Sequence, residues 1–94
     1  MDIITMSFIY EYDPKKNILL KNQRGISFDE VIYYIDNGHV IDIVDNPKYE
    51  NQKFYVINIE GYIHLVPFVK DKNIIFLKTI YPSRKMTKSY LKEE

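Results

Sequence analysis

The sequence predicts an α+β fold in which a small antiparallel sheet of three to four strands carries two N-terminal helices and one C-terminal helix. Three observations lead there. Ser27-x-x-Glu30 is a capping box opening an apolar repeat at helical spacing. Residues 53–59, 62–69 and 73–81 are rich in β-branched and aromatic residues, and the short breakers Glu60-Gly61 and Lys70-Asp71-Lys72 divide them into an antiparallel meander. A Pro82-Ser83 corner then converts the strand pattern into a helical one.

In chain order, Ser7–Tyr12 (SFIYEY) reads as a short extra N-terminal strand ended by Asp13-Pro14. Asp is a good helix cap and Pro is welcome at the first helical position, so a helix follows, with Gly25 as its stop. Ile18 and Leu19 are its expected apolar patch. The second helix occupies residues 27–38 and ends at Asn37-Gly38, with Phe28, Val31, Ile32 and Ile35 on one side. His39–Val44 alternates as a strand until Asp45-Asn46-Pro47 breaks it.

Pro67 cannot donate to a ladder and marks an edge position or a bulge. Both parities of residues 73–81 are apolar, which places that strand centrally with both faces covered. Ser83 caps a last helix, Arg84–Lys92, whose apolar stripe is Met86, Tyr90 and Leu91.

With 94 residues, 46% of them hydrophobic and only three glycines, the chain has material for one core, and we read residues 1–94 as a single domain. There is no cysteine, hence no disulfide framework and no thiol nucleophile, which suits a reducing cytoplasm. Two histidines, His39 and His64, are too few for a metal site without several carboxylates. No apolar run approaches the roughly 20 residues of a membrane span. The opening MDIITMSFIY lacks the basic region and cleavage site of a signal peptide, and Met6 is an alternative start to Met1.

Net charge is zero but unevenly spread. Residues 25–60 hold seven acids against two lysines, a balance of −5, whereas residues 61–92 hold seven bases against one acid, a balance of +6. Such polarity suits a polyanion on one side and a basic partner on the other, or it follows merely from a composition skewed toward Ile, Lys, Asn and Tyr.

Three segments carry a resemblance. Tyr10–Lys16 (YEYDPKK) is an aromatic-rich strand running into Asp-Pro-x-Lys, Arg24–Glu30 (RGISFDE) stands ten residues beyond Pro14, and Ser83–Lys88 (SRKMTK) closes the chain. In this order they resemble the BrnT toxins of bacterial type II toxin-antitoxin systems, whose corresponding segments read Asp-Pro-x-Lys, His-Gly-Val-Ser-Phe-Glu-Glu and Ala-Arg-Lys-Ala-Thr. The sequence departs from that pattern at Arg24, where the family has histidine, at Leu20, where it has asparagine, and at Pro82-Ser83. The resemblance implies a RelE-like ribonuclease fold, RNA cleavage that inhibits translation, and neutralisation by a ribbon-helix-helix antitoxin, with operator DNA bound only through the complex.

RNA cleavage by 2′-hydroxyl attack needs a base, positive charge on the developing phosphorane and an acid for the leaving oxygen, without an obligatory metal or cofactor. Arg84 and Lys85 at a helix start can meet a phosphate, with Lys78 and Tyr81 on the strand before them. His64, on the parity of Tyr62, Val66 and Phe68, is a proton-transfer candidate or a half-buried structural histidine. Lys15, Lys16, Lys21 and Arg24 on the first helix and Lys88 on the last form a basic set that can track an RNA backbone or be simply solvated. Of the nine tyrosines, Tyr81 and Tyr90 adjoin the basic motif and can stack on bases, while Tyr33, Tyr34, Tyr55 and Tyr62 are expected in the core. The alternative to an enzyme is a non-catalytic module that holds a partner protein.

Overall fold

The computed structural model describes residues 7–91, so the start at Met1 or Met6 and the helix residue Lys92 lie outside the described residues. The elements are β1 (Ile9–Glu11), α1 (Pro14–Arg24), α2 (Phe28–Asp36), β2 (Val40–Asp45), β3 (Lys53–Ile59), β4 (Tyr62–Asp71), β5 (Ile74–Leu77), β6 (Tyr81–Pro82) and α3 (Arg84–Leu91). The class is α+β.

Each helix begins on chemistry visible in the sequence. The Lys15 N–H donates to Asp13 Oδ1 at 2.9 Å, and Gly25 (φ 75°) ends α1 in the left-handed region that glycine enters without a Cβ penalty. In α2 both halves of the capping box form: Glu30 N–H donates to Ser27 Oγ at 3.2 Å and Ser27 N–H to Glu30 Oε1 at 3.1 Å. Met86 N–H donates to Ser83 Oγ at 3.1 Å, which caps α3.

The sheet departs from the expectation in two ways. It has six strands rather than three to four, in the order β1-β5-β4-β3-β2 with β6 also on β4. It is mixed, because β1 pairs parallel with β5, Ile9 opposite Ile74. The N-terminal strand finds its partner more than sixty residues away, a pairing that no local pattern encodes.

The expected strand 73–81 divides into β5 and β6, and Pro67 explains where. The strands of the β3–β4 hairpin alternate between exchanging and non-exchanging pairs, and Pro67 turns its backbone away from β3. Its carbonyl accepts from Lys78 N–H at 2.8 Å, but it has no N–H to return. The ladder therefore stops at Leu77 and resumes only where Tyr81 meets Leu65. Pro67 is neither at an edge nor in a bulge of its own strand; it sits inside the sheet and breaks the neighbour.

Two clusters fill the two faces of the sheet. On one face, Tyr55, Ile57 and Ile59 of β3, Val66 and Phe68 of β4, and Ile75 and Leu77 of β5 pack under Leu20, Ile26, Phe28 and Val31. On the other, Val56, Ile63 and Leu65 pack under Met86 and Leu91 of α3 with Phe54 and Tyr81 alongside.

The phase of α1 differs from expectation. Ile18 and Leu19 are 63% and 49% exposed, while Leu20 is the buried residue. Asn17, one turn before Leu20, accepts the Phe28 N–H at 2.6 Å, so the Asn17–Leu20 side faces α2 and the sheet. Tyr55 and Tyr34 lie in or against the core, but Tyr33 and Tyr62 are exposed.

Candidate functional site

The hairpin between β3 and β4 turns on Glu60 (φ 52°) and Gly61 (φ 84°), both in the left-handed region that a two-residue turn requires. Asn58 Oδ1 steadies it by accepting the Gly61 N–H at 2.9 Å. The next residue, Tyr62, stands between two cavities. One, of about 350 Å³, is lined by Arg24, Glu30, Tyr34 and His64 as well as Tyr62. The other, of about 460 Å³, lies between Gly61–Tyr62 and the Arg84, Thr87 and Lys88 side of α3. The fold thus gathers Arg24, His64, Arg84 and Lys88 around one tyrosine.

His64 belongs to β4 on the face covered by α1 and α2 but near the start of the strand, which leaves it half-buried. Burial holds its imidazole below the ordinary value, offset in part by the Tyr62 carbonyl 3.3 Å from Nδ1. A carbonyl can only accept, so Nδ1 carries the proton and Nε2 keeps its lone pair. At neutral pH the ring is an uncharged base. Arg24 reaches the same cavity from the end of α1 while donating one guanidinium N–H to the Ile80 carbonyl. That bond ties α1 to the β5–β6 break and spends only one of five donors.

Glu30 is held ionised below the usual carboxylate range by Lys21, whose Nζ lies 2.6 Å from Oε1, with the Ser27 hydrogen bonds adding to the effect. Lys21 is thereby committed to Glu30. Lys15 is exposed on the first turn of α1, and Lys85 is exposed beside Arg84 on α3.

Lys78 and Tyr81 are elsewhere. They line a separate cleft of about 760 Å³ on the sheet face that Phe54 and Tyr81 share with α3, opposite to His64, together with Lys16 and the loop between β2 and β3. Lys78 snorkels out of the strand line, its Nζ 5.3 Å from the centroid of the Phe76 ring. Burial raises the Tyr81 phenol above its ordinary value, so it remains protonated and can serve as a donor, not as a phenolate base. Tyr90 donates to Asp42 Oδ2 at 2.7 Å and pins α3 to β2, so its hydroxyl is engaged away from the basic motif.

Sequence reasoning did not find Tyr62, Tyr34 or Glu30 as neighbours of His64, nor Lys48, Tyr49 and Phe54 as neighbours of Lys78. Lys48 is one of only two bases in the acidic stretch 25–60, the one local signal available. Among the described residues no three His, Asp or Glu side chains gather to hold a metal ion, and no helix is long and apolar enough to cross a membrane.

In comparisons with known proteins, no family model, no curated protein and no solved structure matches this chain.

Proposed function

We propose that the chain is a cytoplasmic, metal-independent endoribonuclease, the toxin of a type II toxin-antitoxin pair, as its likeness to the BrnT motifs implies. The observation that carries the reading is the His64 imidazole sharing a cavity with the Arg24 guanidinium, with Arg84 and Lys88 across Tyr62. In this reading His64 Nε2 removes the proton from an RNA 2′-hydroxyl, whose oxygen attacks the adjacent phosphorus. Arg24 and Arg84 hold the charge that accumulates on the phosphorane oxygens. The P–O5′ bond breaks, the leaving oxygen takes a proton from a phenol such as Tyr62, and a 2′,3′-cyclic phosphate remains. Lys85 and Lys88 extend the positive field along α3.

A specific observation favours a second reading, a non-catalytic module. The motif residues Ser27, Glu30, Ser83, Thr87 and Arg24 all make hydrogen bonds that hold the fold together. Meanwhile β2 is an edge strand with Ile41 and Ile43 exposed at 44% and 50% beside Asp42 and Asp45. An acidic, apolar edge suits a basic partner such as a ribbon-helix-helix antitoxin, through which operator DNA would be reached.

Inducing the chain alone in a bacterial host separates the two. Growth arrest with cleaved transcripts, abolished by Arg84→Ala with Lys85→Ala, supports the ribonuclease. Normal growth with intact RNA from a folded protein refutes it and leaves the module.

A further inference from the structure

The cleft that holds Lys16, Lys78 and Tyr81 is built from parts distant in sequence. Its floor is Phe54 of β3, Pro67 of β4 and Tyr81 of β6, with the Phe54 and Tyr81 rings edge to face at 6.3 Å between centroids. One wall is the β2–β3 loop, residues 46–52. That loop is closed on itself: Asn46 N–H donates to the Gln52 carbonyl at 3.1 Å, Gln52 N–H to the Tyr49 carbonyl at 3.1 Å, and Lys48 N–H to Asn46 Oδ1 at 2.9 Å. Lys48 and Tyr49 are thus presented from a hydrogen-bonded turn, with Tyr49 55% exposed.

Three lysines from three different segments, Lys16, Lys48 and Lys78, line this cleft, and among the described residues no acid does, although the loop belongs to the acidic half of the sequence. The volume of about 760 Å³ falls within the roughly 300–1,000 Å³ of ligand sites. A positively charged groove over aromatic faces is the arrangement that takes single-stranded nucleic acid, with bases stacked on rings and phosphates met by point charges. A compact inorganic anion would leave the rings unused, and a duplex would not offer its base faces.

We propose that this cleft is a nucleotide-binding subsite for single-stranded RNA, in which a base stacks on Tyr49 and Tyr81 while Lys16, Lys48 and Lys78 neutralise the flanking phosphates. The choice of RNA over DNA rests on the ribonuclease reading above; the stacking and charge do not. Pro67 stands three residues from His64 on β4, roughly 10 Å at about 3.3 Å per residue, and on the other face. A strand seated in the cleft and passing around the β6 edge reaches the His64 cavity, so the subsite selects which nucleotide is presented there.

The test is fluorescence anisotropy of the full chain with a labelled, uncleavable 2′-O-methyl oligouridine across a salt series, beside a cleavage assay. Lys48→Ala and Tyr49→Leu alter an exposed loop and leave the core untouched. The proposal expects Tyr49→Leu to weaken binding roughly 5- to 150-fold and Lys48→Ala to shallow the slope of log K against log salt by about 0.7. Failure of the parent to bind, equal binding by both variants, or equal binding of duplex RNA each overturns it. If the parent cleaves RNA while the loop variants bind normally, the subsite is wrong and the ribonuclease stands. If the parent binds with the expected losses but never cleaves, the subsite stands and the ribonuclease falls.

Discussion

Thr87 on α3 reaches the backbone of Ile63 on β4: its Oγ1 accepts the Ile63 N–H at 2.9 Å and donates to the Ser83 carbonyl at 2.7 Å. Ile63 turns its backbone away from β3 at a point where β6 has already ended, and the Ser83 N–H meets its carbonyl at 2.9 Å. The first turn of α3 therefore completes the ladder that β6 leaves unfinished. Thr87→Val keeps the shape and removes the acceptor, leaving a buried N–H unpaired, and is expected to cost about 1–3 kcal/mol in urea denaturation. Thr87→Ser keeps the hydroxyl and should retain most of that stability.

Leu20 is 3% exposed among Ile26, Phe28 and Val31. Leu20→Ala opens a cavity there and is expected to cost about 2–5 kcal/mol. Leu20→Asn adds the burial of an amide to that loss and should be at least as damaging, measured by the same denaturation. Ile18→Ala, at an exposed neighbouring position, should change stability by less than about 0.5 kcal/mol.

Burial lowers the His64 pKa in the folded state, so the unfolded chain binds the extra proton more readily. By linkage the contribution to stability is complete above the unfolded value of about 6.5 and is lost as pH falls toward the folded one. Denaturation midpoints should drop between neutral pH and pH 5 in the parent and less in His64→Gln. In the ribonuclease reading, cleavage should rise through the same depressed pKa and be flat at neutral pH, and His64→Gln should lower the rate about 10²- to 10⁴-fold.

Arg84 and Arg24 differ in what else they do. Arg84 is exposed at the start of α3, so Arg84→Ala should leave the melting temperature close to the parent's while reducing cleavage by about 10²- to 10³-fold. Arg24 also binds the Ile80 carbonyl, so Arg24→Ala should lower stability and cleavage together, and Arg24→Lys should recover part of the stability alone.

The helix starts were legible because they are local. Asp13, Ser27 with Glu30, and Ser83 bond to N–H groups within three residues of themselves, and each does so in the fold. The hairpin turn at Glu60-Gly61 was equally plain, since two neighbouring residues satisfy its geometry.

The candidate site was legible only as residue types. His64 and Arg24 lie forty positions apart, and the sequence offers no sign that the end of α1 comes to the start of β4. Lys78 and Arg84 stand six positions apart and nevertheless face different cavities, because Pro67 interrupts the strand between them and α3 turns away at Ser83.

By itself, then, the sequence determined the α+β class, the order of elements as far as β5 and the three helix caps, because each depends on contacts within one turn or one hairpin. Only the tertiary structure decided the parallel pairing of β1 with β5, the burial of Leu20 in place of Ile18, and the division of the basic residues among separate cavities. Those depend on which backbone groups are still unpaired when distant segments meet. No residue carries that information until its neighbours are in place.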